Sequence, residues 1–366
     1  MSIELNDIEC PKEIRDFVRT NKDIIVNEYV DRGCNGEVYF GVRKKMGDEV
    51  VLKFYISNEN YDSSEEAVIL RSIDHENILR IHDLRFIPPY SAFFLSPKIS
   101  GGDLQTYLDN NVVSSKKALE LVAGILKGTT ELHTKHELVH RDLKPGNVLL
   151  DLPSYRPIIA DLGSVKKMSE ANNYTTTSKA TRLYLPPESI VDEQYYFQSD
   201  LYQIGLILFQ LLGGYFPLET PVDFLSKREK AKLDKHIGKP SWTTEFDNLI
   251  DTKIVKGKIA DTNSIPPFLD APFKRVLNKS LHKDYKMRFQ NPSEFLIEIH
   301  KLLRAFPSYS HHSDQLLIAH DDGVECKIYN DRKGNIVVEK KKNGGSWRKQ
   351  NKHDGSFESA LQLAKN

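Results

Sequence analysis

His140-Arg141-Asp142-Leu143-Lys144-Pro145-Gly146-Asn147 runs directly into the apolar Val148-Leu149-Leu150. Nineteen positions after Asp142, a second apolar run, Ile158-Ile159-Ala160, ends in Asp161-Leu162-Gly163. Both segments place polar groups at the ends of short strand-like pieces, where a side chain can be held rigid and still face a cleft. The groups are two carboxylates, an ammonium and an amide. Phosphoryl transfer from ATP calls for that set. A carboxylate orients the attacking hydroxyl and accepts its proton, a cation neutralises the transferring phosphate, and hard oxygen donors suit magnesium.

In spelling and spacing the two segments resemble the catalytic loop and the Asp-Phe-Gly motif of eukaryotic-type serine/threonine protein kinases. The resemblance implies an α+β, bilobal protein-kinase fold, with a small antiparallel β lobe carrying one helix and a large helical lobe. It implies ATP and Mg2+ bound between the lobes and protein substrates. By the same resemblance Asp142 is the catalytic base, Lys144 contacts the γ-phosphate, and Asn147 and Asp161 are magnesium ligands. A lysine two residues after the aspartate favours serine and threonine as acceptors.

Upstream, Gly33-Cys34-Asn35-Gly36-Glu37-Val38 lies between two strand-like runs. Gly33 and Gly36 let a hairpin lie close over phosphates and offer them backbone N–H groups. The first glycine of the family's Gly-rich pattern is here Asp31. Val50-Val51-Leu52-Lys53 resembles the family's lysine strand, and period-two alternation puts Val51 and Lys53 on one face. Lys53 is then expected to hold the α- and β-phosphates, with Val38 and Val51 above the adenine and Leu149 below it. Glu66 is the expected partner of Lys53; Ser63-x-x-Glu66 is also a capping box, so a helix-start role stays open. Ser96-Pro97-Lys98-Ile99-Ser100-Gly101-Gly102-Asp103 resembles the hinge between the lobes. The Pro97 carbonyl and the Ile99 N–H would meet the adenine edge, and Asp103 would reach the ribose, a basic substrate residue or a helix N-terminus.

Residues 168–179 form a polar Thr/Ser/Asn stretch ahead of Pro186-Pro187-Glu188. The resemblance pairs Glu188 with Arg288, makes Asp200 the anchor of the catalytic-loop backbone, and sets Thr181 against Asp142 and Lys144. Arg141 beside Asp142 suggests regulation. A phosphate on the loop adds about −1.5 to −2 charge for it to pair with. Thr177 has the best spacing, with Thr175, Thr176 and Ser178 as rivals. A pseudokinase scaffold is the competing reading; Asp31 and Leu162 favour it, while Lys53, Glu66, Asp142, Asn147 and Asp161 oppose it.

Outward from this centre the chain has three textures. Residues 1–23 form an N-terminal extension. Residues 24–306 form the kinase domain, with strand-like runs to about 97 and helical periodicity from about 98. Single runs at 24–30, 38–42, 50–55, 78–86 and 92–95 are expected strands, interrupted by a helix over 64–73. Ala118, Leu121, Val122, Ile125, Thr129 and Leu132 make one helical stripe. Residues 201–212 are apolar nearly all round, which requires burial, with Ser199 as N-cap and Gly213-Gly214 as stop. Residues 307–314 read as a polar linker, and 315–366 as a small, basic β-rich/α accessory domain. Its turns are Asp322-Gly323, Lys333-Gly334 and Asn343-Gly344-Gly345, and a helix over 357–365 closes it. Lys340-Lys341-Lys342, Arg348, Lys349 and Lys352 surround Trp347, but basic strands are usually solvated faces. Docking or autoregulation is therefore expected of this domain ahead of nucleic-acid binding.

Lys+Arg and Asp+Glu are both 51. This balance argues against a chain ruled by attraction to nucleic acid or membrane. The three cysteines, Cys10, Cys34 and Cys326, are unspaced for a disulfide or zinc framework and suit a reducing compartment. Residues 1–15 lack the pattern of a signal peptide, and no apolar run reaches the roughly 20 residues of a membrane span. A cytoplasmic location is the expectation.

Overall fold

The structure is a computed structural model; it describes residues 12–31, 37–56, 69–87, 91–169, 174–176, 181–312 and 314–365. The elements of the first lobe are α1 (Lys12–Thr20), β1 (Ile24–Asp31), β2 (Glu37–Arg43), β3 (Glu49–Ile56), β4 (Asp83–Ile87) and β5 (Ser91–Pro97). The five strands form one antiparallel sheet in the order β1-β2-β3-β5-β4. On β3 the alternation divides two faces. Val50, Leu52 and Phe54 are buried against Ile14 and Val18 of α1, while Val51 and Lys53 turn the other way. Phe17 of α1 meets Phe54 at 5.7 Å and Phe93 at 4.8 Å between ring centroids. The extension thus contributes a helix that covers the outer face of the sheet.

The run at 78–86 is not one strand. Only Asp83–Ile87 joins the sheet, while Leu79 N–H donates to the Ile159 carbonyl at 2.8 Å, tying the first lobe to the second. The turn that redirects the chain is held by His75, whose Nδ1 accepts from the Asn77 N–H.

The larger lobe opens with α2 (Leu104–Asn110) and α3 (Ser115–Lys135). Ser114 caps α3 by accepting from Lys117 N–H at 3.2 Å, and the predicted stripe is buried along its length. Next come β6 (Leu138–Val139), β7 (Val148–Asp151), β8 (Arg156–Ile159), β9 (Lys166–Lys167), β10 (Thr175–Thr176), α4 (Pro187–Val191) and β11 (Gln194–Tyr195). The central helix α5 (Phe197–Leu211) begins four residues earlier than the apolar run. Ser199 is therefore inside the helix, not its N-cap: its Oγ accepts from Tyr196 N–H at 3.0 Å and donates to Glu188. Gly213, at φ +81°, ends the helix as expected of a residue without a side chain. The lobe is completed by α6 (Lys227–Asp234), α7 (Ser241–Val255), α8 (Ala271–Ser280) and α9 (Pro292–Ala305).

The C-terminal unit contains β12 (Ser308–His312), β13 (Gln315–Ala319), β14 (Val324–Asn330), β15 (Ile336–Lys342), β16 (Arg348–Gln350) and α10 (Phe357–Lys365). Its strands form a single antiparallel meander in chain order. The polar linker expected over 307–314 is mostly strand β12, so the sheet starts at Ser308 rather than at 315. Tyr309 explains the difference. It is buried against the helical lobe, its N–H donates to Ser115 Oγ at 2.9 Å, and the ladder to β13 pairs the polar residues around it. Lys116–Asp321 and Lys365–Asp270, both 2.6 Å, fix the unit further.

Candidate active site

The catalytic loop lies between β6 and β7, over the N-terminus of α5. Asp200, fully buried on α5, accepts N–H bonds from His140 (2.8 Å) and Arg141 (3.0 Å). It also meets the His133 ring at 2.8 Å and accepts from the Tyr195 hydroxyl at 2.8 Å. Burial alone would raise its pKa. The His133 hydrogen bond and charge, with His140 and its N–H, outweigh burial and hold it below the ordinary carboxylate range. These bonds stabilise a backbone that would otherwise resist: Arg141 sits at φ +69°, a left-handed conformation costly for a non-glycine residue.

With the loop so held, Asp142 is gripped at both oxygens. Asn147 Nδ2 donates to its Oδ2 at 2.9 Å and to its carbonyl at 2.7 Å. Lys144 Nζ lies 3.1 Å from Oδ2 and donates to Thr181 Oγ1 at 2.6 Å, and Thr181 N–H reaches Oδ1 at 3.4 Å. Across the cleft, Lys53 Nζ stands 2.6 Å from Asp161 Oδ1.

Of these groups, Lys53, Asn147 and Asp161 border a cavity of about 250 Å³ between the lobes. Val38 and Val51 line one wall, Leu149 the other, Pro97 and Ile99 the hinge end, and Lys53, Asn147 and Asp161 the polar end. Asp103 is at the rim, and its side chain caps α2 by accepting from Thr106 N–H at 2.9 Å. Of its open readings, the helix cap is the bond observed. Among the described residues no group of three or more His, Cys, Asp or Glu gathers to hold a metal ion. The donors present, a carboxylate on Asp161 and an amide oxygen on Asn147, are hard and few. They suit magnesium that takes its remaining ligands from phosphates and water.

Glu66, Gly33, Gly36 and Thr177 lie outside the described residues. Arg141 reaches toward the segment before Thr177: Nε donates to the Ser164 carbonyl at 2.6 Å and Nη1 to the Thr176 carbonyl at 2.8 Å. Glu188 and Arg288 form a buried two-pronged pair at 2.8 and 2.7 Å, with the guanidinium also stacked on Tyr202.

Sequence reasoning missed several supporting residues. Gln203 accepts from Leu143 N–H (2.8 Å) and donates to the Tyr184 carbonyl (3.1 Å), joining the catalytic loop to the segment after Thr181. Arg182 is fixed by Asp251 at 2.6 Å and Asp247 at 3.1 Å on α7. Their partners lie from 19 to 69 residues away in the chain, and no local pattern marks such pairs.

Residues 25–298 match the protein kinase domain, three quarters of the chain. The chain belongs to that family, and within it to the eukaryotic-type serine/threonine kinases. It is 26% identical over 71% of its length to the serine/threonine-protein kinase TIO of Arabidopsis thaliana, covering 18% of that protein. To a probable serine/threonine-protein kinase PknB of Lactococcus lactis it is 27% identical over 82% of its length, covering 44% of that protein. To the human serine/threonine-protein kinase ULK1 it is 29% identical over 59% of its length, covering 21% of that protein. The chain thus spans less than half the length of these relatives.

Proposed function

We propose that this chain transfers the γ-phosphoryl group of ATP to serine or threonine hydroxyls of protein substrates. The observation that carries the reading is that Lys53, Asn147 and Asp161 line one cleft, while Asn147 also grips Asp142, which Lys144 and Thr181 hold as well. Asp142 accepts the proton of the incoming hydroxyl, and Lys144 and Thr181 keep its carboxylate aimed. Lys53 binds the α- and β-phosphates, with Glu66 as its second partner. Val38, Val51 and Leu149 enclose the adenine, whose polar edge meets the Pro97 carbonyl and the Ile99 N–H. Asn147 and Asp161 hold magnesium, which when bound neutralises phosphate charge.

Regulation follows from Arg141. Phosphorylation of Thr177 would give its guanidinium a dianionic partner in place of carbonyls and so order the segment. Residues 308–366 serve as a docking or autoregulatory unit carried on the helical lobe. The pseudokinase reading rests on Leu162, buried where the family has phenylalanine, and on Asp31.

The test is phosphate transfer from labelled ATP to a generic protein substrate by purified chain with magnesium. Substrate-bound label, lost in Asp142→Asn, supports the kinase; nucleotide binding without transfer, in a chain phosphorylated or not at residues 174–181, supports the scaffold.

A further inference from the structure

The chain as a whole carries as many acidic as basic residues, yet residues 324–352 hold nine Lys and Arg against three Asp and Glu. They span β14 to β16, the half of the C-terminal sheet that ends in its open edge. All three acids are already engaged. Glu325 pairs with Lys341 at 3.0 Å and Glu339 with Lys327 at 2.6 Å. Asp331 closes its own turn, accepting from the Lys333 and Asn335 N–H groups. Lys340, Lys342, Arg348, Lys349 and Lys352 are left with no ion pair among the described residues, and all but Lys340 are exposed.

Two of these cations work against the sheet. Lys340 and Arg348 stand directly opposite each other on β15 and β16, where like charges repel. Basic residues on an edge strand do keep it from pairing with other chains, and β16 is such an edge. That role does not explain the aromatic ring set among them. Trp347 is half-buried, and its indole centroid lies 4.7 Å from both Lys327 Nζ and Lys341 Nζ. Glu339 and Glu325 fix those two ammonium groups in turn, so the ring is held in one place. Cys326, Ile328 and Val338 fill the core, and strand alternation turns Lys327 and Glu339, with the ring, to the opposite face. A rigid tryptophan beside uncompensated cations is the make-up of a recognition patch for an anionic partner.

We propose that the Trp347 face, with Arg348, Lys349 and Lys352, docks an acidic segment of the protein substrate, at a distance from the residue that receives the phosphate. A peptide suits the face better than nucleic acid does. Zero net charge gives a long polyanion no general attraction, and the two lysines under the ring are already neutralised. The Tyr309 N–H on Ser115 Oγ, Lys116–Asp321 and Lys365–Asp270 fasten the unit to the helical lobe. A segment bound there is thus kept near the cleft, and its acceptor residue is presented at a raised effective concentration. The substrate role rests on the kinase reading; the binding itself does not.

The probe is octaglutamate, titrated into the full chain carrying Trp242→Phe, which leaves Trp347 as its one tryptophan. Emission from Trp347 should change saturably, and added salt should weaken the binding. Arg348→Glu with Lys349→Glu should weaken it roughly ten-fold, as two exposed ion pairs turn to repulsion. Lys44→Glu with Lys45→Glu, an equal change at exposed positions of the first lobe, should leave it unaltered. Thermal midpoints matching the parent chain check that both variants are folded. No saturable change in emission, or equal weakening by the two variants, overturns the site. Oligothymidylate that binds as tightly as octaglutamate, or more so, overturns the peptide occupant. In an active preparation, Arg348→Glu with Lys349→Glu should raise KM for dephosphorylated casein, an acidic protein, by a similar factor at unchanged kcat. The KM for myelin basic protein should not rise. A casein KM that stays put while octaglutamate binding is lost overturns the substrate role alone.

Discussion

Asp142 and Asp200 sit on either side of the same loop, and their surroundings differ in kind. Asp200 has every lone pair engaged by groups deep in the helical lobe, so it neither meets solvent nor has a direction in which to act. Asp142 is just as firmly oriented, but its partners are a lysine, a threonine and the amide of Asn147, which itself lines the cleft. One carboxylate shapes backbone and the other is presented by that backbone. The same division separates two of the ion pairs between residues distant in sequence. Glu188–Arg288 is sealed, whereas Lys53–Asp161 is partly open, so incoming phosphate or cation can compete for either member. A kinase cleft of this design keeps its exchangeable charges at the front and its permanent ones behind.

The sharpest way to break the comparison is Asp142→Asn. Turnover should fall roughly 10²–10⁴-fold, the usual worth of a general base, while the thermal midpoint stays near wild type. Turnover at wild-type level would remove Asp142 from the front of the site. Arg288→Met should do the reverse: leaving Glu188 buried and unpaired should cost about 3–5 kcal/mol of stability, read by denaturant titration. A loss under 1 kcal/mol would mean the pair is not sealed as described.

Asp200→Asn should cost about 2–3 kcal/mol, because its amide presents N–H toward donors. The pH dependence carries a sign. Since the folded pKa is depressed, the aspartate's stabilisation is complete above its ordinary value, about 4, and fades as pH falls through the lower folded value. The stability gap between wild type and Asp200→Asn should therefore narrow on acidification; a widening gap would reverse the assignment. The smallest effect is expected at the C-terminal unit. Ser115→Ala removes the acceptor for Tyr309 N–H and should cost about 1 kcal/mol, with turnover unchanged.

How much of this could be read beforehand varied with distance along the chain. Residues 140–147 and 161–163 carry their chemistry in consecutive letters, and alternation on β3 sorts Val51 and Lys53 from Leu52 without any structure. The helical stripe from Ala118 to Leu132 is likewise periodic, hence legible. Ser199 misled because a good N-cap residue stood before an apolar run, yet the helix reached back to Phe197. Residues 307–314 misled because the exposed histidines and half-buried serines of an edge strand have the composition of a linker.

From its letters alone the chain determined its family, its two lobes and such cleft-lining residues as Val51, Lys53, Asn147, Leu149 and Asp161, because each of those signals is local: a spacing, a period or a short motif. Only the tertiary structure decided that Gln203 bridges the catalytic loop and Tyr184, that Arg182 is pinned by Asp247 and Asp251, and that Tyr309 is buried against the helical lobe with its N–H on Ser115. Those facts are pairings between groups far apart in sequence, and it is packing, not propensity, that selects such partners.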